Sequence, residues 1–177
     1  MIVRQRSSGS HRPKRGVMQE MSIYGVSFDM VGKQPIVLLK TQSGNKFLPI
    51  WIGSTEASAI LMKLQGVETP RPMTHDLLSD TIAQLNAEVS RVTVTDLREN
   101  TFIATITVRV EAGEIEIDAR PSDALALAVR VDAPIFVDDK VIEDSALEFT
   151  EDVDDTDDVV ERFKEFLDDV TPDDFAS

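Results

Sequence analysis

Two acidic residues in equivalent places of a repeated pattern are the first candidates for chemistry in this chain. Residues 55–60 read Thr-Glu-Ala-Ser-Ala-Ile and residues 122–127 read Ser-Asp-Ala-Leu-Ala-Leu, so a hydroxyl, an acid and an alanine recur in the same order. Apolar residues typical of strands precede both copies. Glu56 and Asp123 would then lie at the starts of equivalent helices, where two carboxylates that meet could bind a hard cation. The alternative is that each acid only complements the dipole of its own helix.

A second group of candidates follows a proline-rich connector. His75 is the only histidine besides His11, so an imidazole general base in the folded part of the chain would have to be His75. Its alternative is a capping turn with an exposed imidazole. Asp76 and Asp80 lie one turn apart on the helix that Thr74 is expected to cap, and the two carboxylates could share one cation. The alternative for both acids is a solvated helix face.

Two arginines stand where an anion could bind. Arg71 lies between two prolines on a stiff loop, where it is either a phosphate contact or a plain exposed arginine. Arg120 precedes a helix start, and backbone N–H groups at a helix start favour anions. Its alternative is a salt bridge to Asp123 or Asp76. Ser122 shares this helix start and is the predicted N-cap residue.

Hydrophobic periodicity predicts the elements that must position these residues. Strands are expected over residues 23–28, 35–40, 46–52, 89–97, 101–110, 114–119 and 135–137, with a last extended piece near Val141–Ile142. Helices are expected from Thr55 to about Gln65, from His75 to about Asn86, and from Ser122 to Arg130. The middle helix is expected to bury Leu77, Leu78, Ile82 and Leu85.

The order of these elements predicts an α+β domain with mixed or antiparallel sheets and three core helices. Three strands and a helix come first, a central helix follows, and three more strands and a helix come next. We interpret this order as an internal duplication of a strand-strand-strand-helix unit. Asp123 and Arg130 are the only charged residues of the last of these helices, which predicts that it is buried at the centre of the domain.

Composition excludes several classes of protein. The chain has 177 residues and no cysteine, which excludes disulfides, thiolate metal sites and cysteine nucleophiles. No apolar run approaches the roughly 20 residues that a membrane span needs. The basic N-terminus lacks the apolar core of a signal peptide. We therefore expect a soluble, cytoplasmic protein.

The net charge of −14 is unevenly distributed and suggests four segments. We predict a disordered basic arm over residues 1–20, a folded domain over 21–149, an acidic linker over 150–158, and an amphipathic helix with a tail over 159–177. The apolar stripe of that last helix could fold back on the domain, pack across a homodimer or bind another protein. An acidic domain binds phosphate backbones poorly unless it has a local basic cluster or a bound cation.

Three sequence blocks are similar to those of the bifunctional nuclease family. They are Leu-Pro-Ile-Trp-Ile-Gly at 48–53 with Glu-Ala at 56–57, Arg-Pro-Met-Thr-His-Asp-Leu at 71–77, and Ala-Arg-Pro-Ser-Asp-Ala at 119–124. They occur in the family's order, and the resemblance covers about Met21 to Phe149. It implies an α+β fold, a homodimer, and metal-assisted cleavage of both DNA and RNA.

This resemblance gives the candidate residues a reaction. Phosphodiester hydrolysis needs an activated water, neutralisation of the charge that develops on phosphorus, and stabilisation of the leaving oxygen. Carboxylates that hold Mg²⁺ or Mn²⁺ can supply the first two, and arginine or histidine the rest. The expected catalytic residues are His75, Asp76, Glu56 and Asp123; Arg71, Arg120 and Ser122 are expected to bind substrate; Asp76, Asp80 and Asp123 are the expected metal ligands.

Two other functions are compatible with the sequence. The acidic domain and the apolar stripe of the C-terminal segment favour a non-enzymatic regulatory or protein-binding module. A small-anion or nucleotide binder at the Arg120–Ser122 helix start is a weaker alternative, because the glycines of a phosphate-binding loop are absent there. Trp51 and Tyr24 are too isolated in the sequence to predict a platform for stacking bases, and Trp51 is expected in the core.

Overall fold

The computed structural model describes residues 16–29 and 34–148, which form one curved sheet with helices packed against it. The strands are β1 (Met18–Asp29), β2 (Gln34–Thr41), β3 (Lys46–Trp51), β4 (Glu88–Arg98), β5 (Thr101–Val110), β6 (Gly113–Ala119), β7 (Ile135–Asp138) and β8 (Leu147–Glu148). The helices are α1 (Ser54–Leu64), α2 (Thr74–Gln84), α3 (Pro121–Val131) and α4 (Asp139–Ser145).

Two antiparallel meanders make up most of the sheet. Strands β1–β3 form one and β4–β6 the other, and each is followed by a helix. The short strand β7 joins them, parallel to β4 and antiparallel to β1, so the order is β6-β5-β4-β7-β1-β2-β3-β8. This arrangement confirms the α+β prediction, with one mixed sheet. The duplication itself stays a prediction.

Helix α3 lies at the centre of the core, as its composition predicts. Every residue from Ala124 to Ala128 is at most 1% exposed. Three of these five residues are alanines, whose small side chains let neighbouring elements approach closely. Helices α1 and α2 both pack against α3, which itself packs on β4 and β5. The start of α3 is therefore held between the starts of its two neighbours.

Helix α3 begins one residue before the expected start at Ser122. Arg120 is the N-cap and Pro121 is the first helical residue, where its fixed φ suits the helix and its missing N–H costs nothing. Ser122 is therefore inside the first turn and buried, so the prediction that it is the N-cap was wrong. At α1 the N-cap is Gly53, and a side chain there would collide with the carboxylate of Glu56.

The predicted buried face of α2 is mostly exposed. Leu77, Leu78 and Leu85 are 60%, 37% and 73% exposed, and His75 is the buried residue of this helix. Ile82 alone of the predicted four packs against the core. Helix α2 packs against α3 and contacts the sheet at β4. Its exposed leucines are therefore not covered within the described residues.

Three further expectations differ from the structure. Residues Val141 and Ile142 lie in α4, with both side chains buried, and not in an extended piece. The alternation of apolar and acidic residues in β6 predicts that Ile115 and Ile117 point into the core, but both are about half exposed on this edge strand. Strand β1 begins at Met18, before the strand expected over residues 23–28 and before the expected start of the domain at Met21.

Several predicted segments lie outside the described residues. They are most of the basic arm, the acidic linker and the C-terminal amphipathic helix. Among the helices of residues 16–29 and 34–148, none has the length and apolar composition to span a bilayer.

Candidate active site

The starts of three helices meet at one hydrogen-bonded network. Glu56 comes from the first turn of α1, His75 from the first turn of α2, and Asp123 from the first turn of α3. Arg120, at the N-cap of α3, bridges the two acids. The fold therefore brings together residues that are up to 67 positions apart in the chain.

The guanidinium of Arg120 binds two carboxylates at once. Its Nε donates to Asp123 Oδ2 at 2.7 Å, and its Nη2 donates to Asp123 Oδ1 at 3.0 Å and to Glu56 Oε1 at 2.9 Å. Hydrogen bonds to Asp123, and then those to Glu56, raise the pKa of Arg120, which stays charged. The Arg120 side chain is 66% exposed, whereas Glu56 is only 17% exposed, so the guanidinium is the group that solvent reaches first.

Asp123 is the shared acceptor of the network. Burial alone would raise the pKa of its carboxyl, but hydrogen bonds from Arg120 and His75 lower it, so Asp123 is ionised. His75 Nε2 lies 3.1 Å from Asp123 Oδ1. Because an ionised carboxylate only accepts hydrogen bonds, we assign the proton of this pair to His75 Nε2. The imidazole itself is buried.

A separate ion pair joins Arg130 of α3 to Asp76, the residue that follows His75. Arg130 Nε donates to Asp76 Oδ1 at 2.5 Å, and the other oxygen of Asp76 accepts from the backbone N–H of Met73 at 2.9 Å. Burial would raise the pKa of Asp76, but these hydrogen bonds lower it. Arg130 also donates to the carbonyl oxygens of Ala126 and Ala59, and its side chain is 6% exposed. Asp76 and Arg130 thus tie α2 and α1 to α3.

With this geometry established, comparison with known proteins identifies the domain. Residues 37–150 match the sequence model of the bifunctional nuclease domain. The chain belongs to the bifunctional nuclease family. The matched range contains all four residues of the network, so the network is part of the bifunctional nuclease domain itself.

Relatives of this bifunctional nuclease domain fall into two groups. A protein of Mycobacterium tuberculosis described as uncharacterized is 43% identical over 166 residues, which cover 90% of this chain and 99% of that protein. Bifunctional nuclease 1 of Oryza sativa subsp. indica is 24% identical over 115 residues, covering 63% of this chain and 35% of the rice protein. Bifunctional nuclease 2 of Oryza sativa subsp. japonica is 27% identical over 108 residues, covering 59% and 33%.

The other predicted site residues of this bifunctional nuclease domain lie outside the network. Arg71 is exposed in the loop between α1 and α2, and Asp80 is exposed on α2. Asp76 is a neighbour of His75 but is bound to Arg130. Ser122 is buried beside Arg120.

Arginines are the ion-pair partners of three acidic site residues of this bifunctional nuclease domain. Among residues 16–29 and 34–148, no three acidic, histidine or cysteine side chains are grouped so that they could hold a cation. Glu56 and Asp123 meet as the duplicated pattern suggests, but they converge on the guanidinium of Arg120. The assignment of Asp76, Asp80 and Asp123 as metal ligands stays a prediction.

Sequence reasoning did not select Arg130 as part of this region. The signal was present, because Arg130 is one of two charged residues in an otherwise apolar helix. A charge on such a helix must be paired when it is buried, since the cost of an unpaired buried charge is large. Its partner could not be read from the sequence, because Asp76 is 54 positions away.

Proposed function

We propose that this protein hydrolyses phosphodiester bonds of DNA and RNA with low sequence specificity. We place the reaction at the network of Glu56, His75, Arg120 and Asp123. The observation that carries the proposal is the exposed guanidinium of Arg120, which is held by acids from two helix starts inside the matched nuclease domain. The sequence blocks that resemble the family contain all four residues.

Arg120 is assigned to the phosphate. Its Nε and Nη2 groups donate to Asp123 and Glu56, which leaves the two N–H groups of Nη1 for phosphate oxygens. A guanidinium also remains charged throughout the reaction. Its two carboxylate partners fix its position before substrate arrives. Donors that are already oriented toward developing charge need no reorganisation in the transition state, which is why they accelerate reactions.

Glu56 is assigned to the attacking water. One of its oxygens, Oε1, is bound to Arg120, and the carboxylate can accept a proton from a water next to the same phosphate. His75 is buried and donates to Asp123, so we assign it to positioning Asp123 and, through Asp123, Arg120. Arg71, on its exposed loop, is a further proposed contact to the nucleic-acid backbone.

Mg²⁺ or Mn²⁺ is a proposed cofactor on the basis of the family resemblance. None of the roles given to Arg120, Glu56 and His75 depends on a cation, and the carboxylates of Glu56, Asp76 and Asp123 are engaged by arginines.

The function is tested by cleavage of DNA and RNA oligonucleotides with purified protein. We expect cleavage of both, and a loss of at least about 100-fold in Asp123→Ala, because this change removes the main anchor of Arg120. Asp144→Ala, an exposed acid on α4, should be fully active. Cleavage that is lost in EDTA and restored by Mn²⁺ would support the proposed divalent cofactor. Cleavage that persists in EDTA would contradict that cofactor. Equal cleavage by the parent and Asp123→Ala would contradict the proposed site, and absence of cleavage would favour the regulatory alternative.

We also propose that the protein forms a homodimer, as the family resemblance implies, and we place its interface on α2. Leu77 and Leu78 on α2 and Leu85 at its C-cap are all exposed. Light scattering should give twice the mass of one chain, and Leu77→Glu with Leu85→Glu should give a monomer. Ala83→Glu, on the opposite side of α2, should leave the dimer intact. A parent protein that is monomeric, or a dimer that survives the double substitution, would contradict this proposal.

A further inference from the structure

A cavity of about 340 Å³ opens beside Arg120. It lies between the end of β3, the turn that joins β4 to β5, and the start of α3. Its volume is within the range of small-molecule sites, about 300–1,000 Å³. Arg120 is the only member of the hydrogen-bonded network that lines it, so the cavity adjoins the proposed reaction site without being part of it.

The walls of the cavity are aromatic and aliphatic. Trp51 is the last residue of β3 and Phe102 is the second residue of β5, and both line the cavity while only partly buried. No local pattern predicts this pair, because its members are far apart in the chain. Ile50 completes the apolar wall. Such walls suit a flat ligand with π faces, because aromatic side chains stack on nucleobases of any sequence.

The rim of the cavity carries side-chain amides. Gln34 and Asn100 both line it, and each amide offers a donor and an acceptor. Asn100 is held in place by the turn between β4 and β5, where Glu99 and Asn100 have φ of 48° and 59°. Two consecutive residues with positive φ form the tight hairpin turn that best fits the twist of the strands. The amide is therefore presented from a defined backbone.

The charges around the cavity favour a neutral ligand over a free anion. Arg120 is the cation on its lining, and two carboxylates, Glu56 and Asp123, already accept from that guanidinium. Every other residue that lines the cavity is uncharged, so the part of the cavity away from Arg120 offers an anion no cation. A flat, uncharged group with hydrogen-bonding edges needs none.

We propose that the cavity lined by Trp51, Phe102, Gln34 and Asn100 is a nucleobase subsite. It would hold one base of the nucleic-acid substrate while Arg120, on its border, contacts the adjoining phosphate. The inference rests on the proposed nuclease function, which supplies the nucleic acid, but binding of a single nucleotide can be measured without any cleavage.

Trp51 provides a direct probe, because it is the only tryptophan of the chain. Adenosine 5′-monophosphate should quench its fluorescence in a saturable manner, with the same dissociation constant by calorimetry. Ribose 5-phosphate, which lacks the base, should not. Phe102→Ala should weaken binding of the nucleotide about tenfold or more, since one stacking wall is lost. Phe136→Ala, a partly buried phenylalanine of β7 that does not line the cavity, should bind as the parent does.

Asn100→Gly is a second variant that tests the subsite if Phe102→Ala fails to fold. Glycine accepts the positive φ of this turn, so the change removes the amide and leaves the backbone unstrained. Binding should weaken about two- to tenfold for one lost hydrogen bond. No saturable binding, equal binding of ribose 5-phosphate, or normal binding by the folded variants would overturn the subsite. Cleavage without nucleotide binding would overturn the subsite alone, and nucleotide binding without cleavage would overturn the nuclease function alone.

Discussion

Arg120→Ala should lower the rate of phosphodiester cleavage by about 100-fold or more at saturating substrate, because the loss of one oriented donor to developing charge typically costs that much. The free energy of unfolding should fall by no more than about 2 kcal/mol, the range for losing charged hydrogen bonds at a partly solvated site. Arg120 is 66% exposed and buries little surface. A large loss of cleavage rate with a small loss in the free energy of unfolding would indicate that Arg120 acts on the substrate and not mainly on the stability of the fold.

Two matched variants sharpen this prediction. Arg120→Lys keeps the charge but loses the planar fork, so its rate should lie between those of the parent and Arg120→Ala. Arg109 is 57% exposed and is also paired with an acid, Glu88, but lies on β5 away from the network. Arg109→Ala should cleave as fast as the parent. Full activity in Arg120→Ala, or an equal loss in Arg109→Ala, would contradict the role given to Arg120.

Asp76→Ala should lower the free energy of unfolding by about 3 kcal/mol, in the range for removing one partner of a buried ion pair. The change leaves Arg130 charged with its side chain only 6% exposed, while Asp76 itself is 33% exposed. It also removes the acceptor of the Met73 N–H at the start of α2. Chemical denaturation monitored by circular dichroism measures the difference.

An exposed pair and a double substitution serve as controls for Asp76→Ala. Glu88→Ala breaks the exposed pair with Arg109 and should cost less than about 1 kcal/mol. Arg130→Met in the Asp76→Ala background removes the unpaired charge and should recover part of the lost stability. A cost below about 1 kcal/mol for Asp76→Ala, or no recovery in the double variant, would show that Arg130 is not held as the structure places it.

Local signals predicted the strands and the three core helices well, because each depends on a short periodic pattern. The start of α3 was missed by a residue because Pro121 at the first helical position outweighs the capping preference of Ser122. The apolar face of α2 was predicted as core, since periodicity records which side is apolar and not what covers it. Leu85, at 73% exposed, is the clearest case.

The candidate site could be predicted from the sequence only in part, because it depends on contacts between residues that are far apart in the chain. The sequence singled out Glu56 and Asp123 as an equivalent pair, and the structure places them on one guanidinium. The sequence could not show that the guanidinium of Arg120 would lie between these two carboxylates, where a cation was expected, because that depends on how α1 and α3 pack. Phe102 and Trp51 are a similar case, since only the fold of the sheet brings both to the lining of one cavity.

The two edges of the described sheet bear on how this protein behaves when it is concentrated. The edge strand β6 exposes an acid at every second residue, Glu114, Glu116 and Asp118, and the other edge strand, β8, has only two residues. Negative charges at alternate positions repel the same strand of a second copy when the two edges approach each other. A strand of two residues is too short to pair stably with a strand of another copy. Fibre growth by strand addition is thus disfavoured at both edges of this part of the chain.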